Sequence, residues 1–408
     1  MKCRHCQAEL TLPLIDLGAA PPSNAYLTKD TLHSPEKYFP LRVLVCTECW
    51  LVQTEDYAGA DELFSADYAY FSSFSTTWLK HADQYVTDMA QRFSLNGNSH
   101  IVEVAANDGY LLQYAKSQGI PCLGIEPTTS TAEAARDKGI EIVEEFFGVN
   151  LAQKLVAQGK QADLTAANNV LAHVPDINDF VEGFAVLLKP KGVATFEFPH
   201  LLNLVSGNQF DTIYHEHYSY LSLTAVKKIF ESYGLSVFDV EELPTHGGSL
   251  RIYAQRKDSG VRELGQNVED LLKRETAAGM NSTAFYAGFQ DKANKVKNDL
   301  TAFLIEAQRA GKKVAGYGAA AKGNTLLNYA GVRPDLIPYV VDRNPAKQDK
   351  FLPGCRIPIV AESHLKRSKP EYVLILPWNL RTEVAEQLAY ISEWGGKFVT
   401  AVPEMVMQ

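Results

Sequence analysis

Ile101-Val102-Glu103-Val104-Ala105-Ala106-Asn107-Asp108-Gly109-Tyr110-Leu111-Leu112 decides how this chain folds. A short apolar run that suits a buried strand passes into small and polar residues, and an apolar helix start follows. Such a turn lets the backbone approach a ligand closely, because small residues leave room and Gly109 supplies torsional freedom. Glu103, Ala105, Asn107, Asp108, Gly109, Tyr110 and Leu111 are therefore candidate contacts for a bound nucleoside. The next strand, Cys122-Leu123-Gly124-Ile125, ends in Glu126-Pro127. An acid about 20 residues after such a loop accepts hydrogen bonds from ribose hydroxyls.

The alternation continues on both sides. Leu79, Ala82, Val86, Ala90 and Phe93 recur at helical spacing and predict an amphipathic helix that Asn96-Gly97 ends. Further strands are expected at 141–143, at 162–166 and at 193–197, the last after Pro190-Lys191-Gly192. Two more fall at 236–240 and 249–253. Strands alternating with helices predict an α/β fold with a doubly wound sheet covered on both faces. Ligands of such sheets lie at the carboxyl ends of the strands. That adds Asn168, Asn169 and His173, which follow the fourth strand, to the cofactor candidates. The G-x-G-x-x-G of dinucleotide sites is absent. The order of elements matches the core of class I S-adenosylmethionine methyltransferases, so a methyl donor is expected in preference to NAD.

Upstream, Cys3-x-x-Cys6 and Cys46-x-x-Cys49 are two thiolate knuckles, enough to close a tetrahedral zinc site. Four protein ligands leave no open position, so the metal is expected to be structural. His5 lies between two of the cysteines and is not expected to bind. With four of six cysteines in such pairs, a reducing cytoplasm suits the chain better than a disulfide scaffold.

Thr212-Ile213-Tyr214-His215-Glu216-His217-Tyr218 crowds imidazoles, a carboxylate and phenols into one stretch, in a chain with only 10 histidines. These are the parts of a proton-transfer site. His246-Gly247-Gly248-Ser249-Leu250-Arg251 offers amides, a hydroxyl and a guanidinium to a phosphate or to sugar oxygens. His200, His215, His246, Gly247 and Arg251 are candidate substrate contacts. Past a polar helical stretch at 265–310, expected to face solvent, Val314 to Thr325 is again a strand, a glycine turn and a helix start. Helix N-termini bind anions, and Lys322 adds a charge. Strands at 336–341, 372–376 and 397–401 complete a second, smaller Rossmann-like sheet, expected to hold the substrate's nucleotide. Its candidates are Tyr317, Lys322, Asn324, Asp342, Arg343, Trp378 and Asn379.

At 408 residues the chain has room for two or three domains. The boundaries expected are 1–60 for the zinc module, 61–255 for the methyltransferase domain and 256–408 for the helical linker with the second sheet. A net charge of −9 argues against nucleic acid as a partner. No apolar run approaches the ~20 residues of a membrane span. Met1-Lys2-Cys3-Arg4-His5-Cys6 has no apolar core of a secretory signal, so a cytoplasmic location is expected.

Taken in order, these motifs resemble the nucleotide-sugar C-methyltransferases, which methylate C3 of a 4-keto-6-deoxy sugar. The resemblance spans essentially the whole chain. It rests on the four cysteines, E-x-x-x-N-D-G-Y-L-L from Glu103, A-N-N-V-L-A-H-V-P-D from Ala167, Y-H-E-H from Tyr214, H-G-G-S-L-R from His246, G-Y-G-A-x-A-K-G-N-T from Gly316 and L-P-W-N from Leu376. One departure is Ala105, where the family usually has glycine in the donor loop. The resemblance implies S-adenosylmethionine and zinc as cofactors and a nucleotide-diphosphate 4-keto-6-deoxy sugar as substrate. It makes His217 the general base, assisted by Tyr214 and Glu216, with either Tyr68 or Tyr70 completing the site. It places the substrate nucleotide against the C-terminal domain, in a monomer or small homo-oligomer. A methyltransferase acting on oxygen or nitrogen, or a non-enzymatic zinc-containing interaction module, are the competing readings.

Overall fold

The computed structural model describes residues 1–55, 57 and 71–408. Tyr68 and Tyr70 lie outside the described residues. In the N-terminal segment, β1 (Leu12–Ala20) and β2 (Phe39–Val45) pair antiparallel, and β3 (Val52–Thr54) adds to β2. Successive side chains of a strand point to opposite faces, and β2 uses this to join two cores. Leu41, Val43 and Val45 pack with the C-terminal lobe, residues beyond about 280, whereas Leu44 and the following Cys46 pack with the central lobe. The N-terminal sheet is therefore a wedge between the two lobes.

The central lobe begins with the helix Thr76–Phe93, capped by the Ser75 hydroxyl, which accepts from the Trp78 amide. Its strands are β4 (Ile101–Val104), β5 (Cys122–Ile125), β6 (Glu141–Val143), β7 (Ala162–Asn168) and β8 (Leu188–Pro199). The chain then leaves this sheet. β9 (Ser219–Tyr220) pairs antiparallel with β3, before β10 (Leu235–Leu243) and β11 (Ser249–Arg256) return to the central lobe. The sheet order is β10-β11-β8-β7-β4-β5-β6, and β11 runs antiparallel between β10 and β8. This is the class I S-adenosylmethionine methyltransferase arrangement. Its switch point lies between β4 and β7, where the order reverses and a crevice opens at the strand ends.

The C-terminal lobe holds β12 (Val314–Tyr317), β13 (Val340–Val341), β14 (Ile359–Val360), β15 (Tyr372–Ile375), β16 (Lys397–Thr400) and β17 (Val406–Met407). They lie in the order β14-β13-β12-β15-β16-β17, parallel except for β17. The expected strand at 336–341 shrinks to Val340–Val341, because the chain through Arg333–Ile337 turns on itself instead.

The polar stretch at 265–310 is less solvent-facing than its composition predicts. Gln266–Ala277 buries Val268, Leu271 and Glu275, and Phe289–Arg309 buries a stripe of Phe289, Ala293, Val296, Leu300, Leu304 and Ala307. Among the described residues, no helix is long and apolar enough to cross a membrane.

Candidate active site

The cysteine sulfurs of Cys3, Cys6, Cys46 and Cys49 all lie within 4.8 Å of one another. A tetrahedron built on Zn–S bonds of about 2.3 Å has edges near ~3.8 Å, and the Cys3–Cys49 and Cys6–Cys46 separations are 3.6 and 3.5 Å. Each knuckle closes alike. Gln7 donates its amide to Cys3 O and Trp50 donates to Cys46 O, and both sit at positive φ, 62° and 65°. Gln53 Nε2 donates to Cys3 Sγ at 3.3 Å. These residues fit zinc, and with four thiolates the site is structural.

At the switch point the loop after β4 is held by its own acids. Glu126 accepts from the amides of Asn107 (2.9 Å) and Thr128 (3.0 Å), one on each carboxylate oxygen. Asn107 Oδ1 accepts from the Ser72 amide, and Asp108 Oδ2 from that of Ser73, so the segment just before the first helix closes over the loop. Gly109 has φ 74°, and a Cβ there would come within 2.4 Å of Ile140. Ala105 sits at φ 58° and Asn107 at 50°, torsions that suit glycine best. Glu103 is buried beside Tyr110, and burial raises its carboxyl well above the usual range. Leu111 is buried in the core below the loop. Pro127 follows Glu126 directly at the strand end. Several buried polar atoms here, Asp108 Oδ1 and both ends of the Asn168 amide, have no well-formed hydrogen bond among the described residues. Because buried polar groups are normally paired, the crevice fits a ligand rich in hydroxyls, amines and carboxylate, as S-adenosylmethionine is.

The Tyr214–Tyr218 stretch is pinned by all three parts of the molecule. Thr54 of β3 donates its amide to Tyr218 O (3.1 Å), the Tyr218 amide donates to Ala172 O (2.8 Å), and Thr325 Oγ1 donates to Ile213 O (2.9 Å). His217 Nδ1 lies 3.0 Å from Thr212 O. A carbonyl only accepts, so Nδ1 carries the proton and Nε2 keeps a bare lone pair. Burial, with His173, His246 and Lys322 nearby, pushes the His217 pKa well below its usual value, so the ring is neutral near pH 7. The Tyr214 ring lies 4.0 Å from that of His217, and the His173 ring 4.6 Å. His173 Nδ1 donates to Glu216 O at 2.7 Å, and burial lowers its pKa to about 4. His246 reaches the same place from the turn before β11. Its Nε2 is 3.4 Å from Asn169 Nδ2, tying it to the end of β7.

Glu216 accepts from the backbone and side-chain amides of Asn24, and burial raises its pKa. From the C-terminal lobe, Lys322 Nζ donates to Asn379 Oδ1 (2.7 Å) and lies 4.9 Å from the Trp378 ring centre. Trp378 reaches Gly247, where an added Cβ would meet its ring at 2.7 Å. His217, Tyr214, Glu216, His173, His246, Gly247, Lys322, Trp378 and Asn379 thus meet at the seam of the lobes.

Other candidates are elsewhere. His215 turns into the N-terminal sheet, where Nε2 donates to Phe39 O, so it does not face His217. His200 is 1 % exposed and spends Nε2 on Glu275, a carboxylate that also caps the helix Leu223–Ser232 through the amides of Leu223 and Thr224. Arg251 is not a free cradle for phosphate: it pairs with Glu197 and Glu241 and covers the Tyr85 ring. Asn324 is buried with Asn328 and Cys355 on the inner side of its helix. Tyr317 packs in the lobe's core beside Tyr339 and Val373. Asp342 accepts from the Ala319 amide and so shapes the glycine turn, while exposed Arg343 bonds Gln387. The reading of the sequence missed Asp211, Trp78 and His81. Asp211 is fully buried and accepts from Trp378 Nε1, Trp78 stacks on His81 and Tyr110, and His81 bonds Glu197. Of the three, only Trp78 had a local cue, a tryptophan at the start of an amphipathic helix.

Compared with known proteins, residues 3–64 match a zinc binding domain model, 78–240 a methyltransferase domain model, and 244–403 a C-methyltransferase C-terminal domain model. The C-methyltransferase NovU of Streptomyces niveus is 32% identical over 403 residues, 99% of this chain and 96% of that protein. The chain belongs to the C-methyltransferase family. This C-methyltransferase is a zinc-module, S-adenosylmethionine-dependent enzyme. It is also 30% identical over 105 residues to the ubiquinone biosynthesis O-methyltransferase of Bordetella avium (strain 197N), covering 25% of this chain and 43% of that one. Among solved structures, magnesium protoporphyrin IX methyltransferase from Synechocystis PCC 6803 with bound SAM is similar over 44% of this chain and 79% of its own, at 16% identity and a TM-score of 0.35.

Proposed function

We propose that this C-methyltransferase methylates C3 of a nucleotide-linked 4-keto-6-deoxy sugar, with His217 as the base. The observation that carries this reading is the bare Nε2 of a neutral His217 at the meeting point of two Rossmann-like lobes. A C–H beside a ketone is acidic only because the resulting carbanion is delocalised as an enolate. The base must take that proton while a donor stabilises the growing charge on the carbonyl oxygen.

His217 takes the proton at Nε2. The Nδ1–H to Thr212 O holds the ring in the tautomer that can do so. The Tyr214 phenol, whose ring packs on that of His217, and the Lys322 ammonium are the groups placed to support the enolate oxygen. Glu216, held by Asn24, fixes the backbone between the two imidazoles. The bound donor supplies an electrophilic methyl group. Asn107, Asp108, Glu126, Asn168, Asn169 and His173 are the residues that would hold it at the crevice. Much of the acceleration then comes from holding two large ligands in register. The nucleotide lies against the start of the helix Ala321–Tyr329 in the C-terminal lobe, where first-turn amides favour an anion.

The test is product NMR with a 13C-methyl-labelled donor and candidate nucleotide-diphosphate 4-keto-6-deoxy sugars. The reading predicts the labelled methyl on a sugar carbon next to the keto group. A methyl found on oxygen or nitrogen would contradict it and favour the heteroatom alternative. A screen of nucleoside diphosphates for thermal stabilisation names the base first, since a ligand of the native state raises its apparent stability.

A further inference from the structure

Asp211 lies in the short turn Phe210–Thr212, directly before the stretch that carries His217. It is 0 % exposed, and one of its carboxylate oxygens, Oδ1, has no well-formed hydrogen bond among the described residues. The other, Oδ2, accepts from Trp378 Nε1 at 2.8 Å. A buried carboxylate is costly unless it is paired or hydrogen-bonded, and Asp211 gets its partner from Trp378. That partner belongs to the other lobe. Trp378 follows β15, and its indole spans the seam: Nε1 on Asp211, the far ring edge against Gly247, one face toward Lys322. Gln209 closes the same corner by donating Nε2 to Gly247 O at 3.0 Å. Lys322 is the cation whose field reaches Asp211, His217 and His246 together.

We propose that Asp211 is a positioning residue: through its bond to Trp378 it registers the C-terminal lobe, with Lys322, against the base-bearing segment. A sugar whose nucleotide is seated on that lobe then meets His217. This rests on the reading of the substrate as a nucleotide sugar. The residues adjoin the base in sequence, so a shift of the Phe210–Thr212 turn also moves Thr212 O, the acceptor that sets the His217 tautomer. Donor binding centres on Glu126 and the loop after β4, and it meets the latch only at its edge, through Asn169 and His246.

The test uses the full-length, zinc-loaded protein with Trp378→Phe, Asp211→Ala and Asp211→Asn. Trp378→Phe keeps an aromatic ring but removes the N–H together with the outer indole edge that meets Gly247. It is expected to lower kcat/KM for the nucleotide sugar about tenfold, the size expected for a lost hydrogen bond to a charged group, with donor affinity by calorimetry unchanged. Asp211→Ala is expected to fall at least as far, and Asp211→Asn, whose amide oxygen still accepts, to recover part of the loss. The indole N–H resonance of Trp378, identified by its absence in Trp378→Phe, should shift and exchange faster with solvent in Asp211→Ala. Wild-type kinetics in Trp378→Phe, or an equal loss of donor affinity in all three variants, would overturn the proposal. A wild-type enzyme that turns over no nucleotide sugar would instead overturn the substrate reading, leaving the NMR result to judge the latch alone.

Discussion

At the scale of single residues, the site is built from groups held away from their ordinary states. Ala105, Asn107, Asn169 and His246 all take positive φ, between 50° and 58°. Such torsions gather at functional sites because the surrounding fold can hold them. Ala105 holds a left-handed conformation that suits glycine, at a cost of about 1–2 kcal/mol. The imidazoles are the other case. Burial pushes His173 and His246 down to about 4, and His217 is lowered well below its usual value. A histidine with a depressed pKa in the fold binds fewer protons there than in the unfolded chain. Its stabilising contribution is complete above the unfolded value of about 6.5 and is lost as pH falls toward the folded one. Thermal melts should therefore decline steadily from pH 7 to pH 4.5, while kcat/KM keeps its neutral-pH value to below pH 6.5 before falling. An acid limb centred at or above 6.5 would mean that His217 is not the base with a lowered pKa that is proposed.

At the scale of elements, the parts legible in the sequence are those whose signal is local. The two C-x-x-C knuckles, the strand-loop-helix at 101–112 and the strands at 122–125 and 141–143 each carry their pattern within one short window. What stayed hidden depends on partners far along the chain. The direction of His215 is set by Phe39, the role of Arg251 by Glu197 and Glu241, and that of His200 by Glu275. No spacing near those residues announces such pairs. β9 is the clearest example, because two residues that follow the histidine stretch leave the central sheet and pair with β3 of the zinc module. A metal at the knuckles would therefore brace the histidine stretch from a distance. Small metal-clipped modules lose structure with their metal. Stripping zinc with a strong chelator should speed amide exchange at 52–54 and 218–220, with β4 and β7 still protected. Unchanged exchange at those amides would show that the knuckles do not brace the segment.

At the scale of the whole molecule, two sheets of similar topology face a shared seam, and the N-terminal sheet is wedged between them by strand alternation. The central lobe was legible as a methyltransferase from its run of elements. The seam was not, because its contacts join residues such as Asp211 and Trp378 that lie 167 positions apart. The seam explains how the histidine stretch is held: Ile213, Tyr218 and Thr54 fasten it to three structural units at once. The most direct measurement is hydrogen exchange at the sugar carbon in D2O, comparing wild type with His217→Ala. The account predicts that wild type incorporates deuterium beside the ketone, while His217→Ala loses both exchange and methyl transfer yet still binds donor and nucleoside diphosphate. Deuterium incorporation at the wild-type rate in His217→Ala would contradict it.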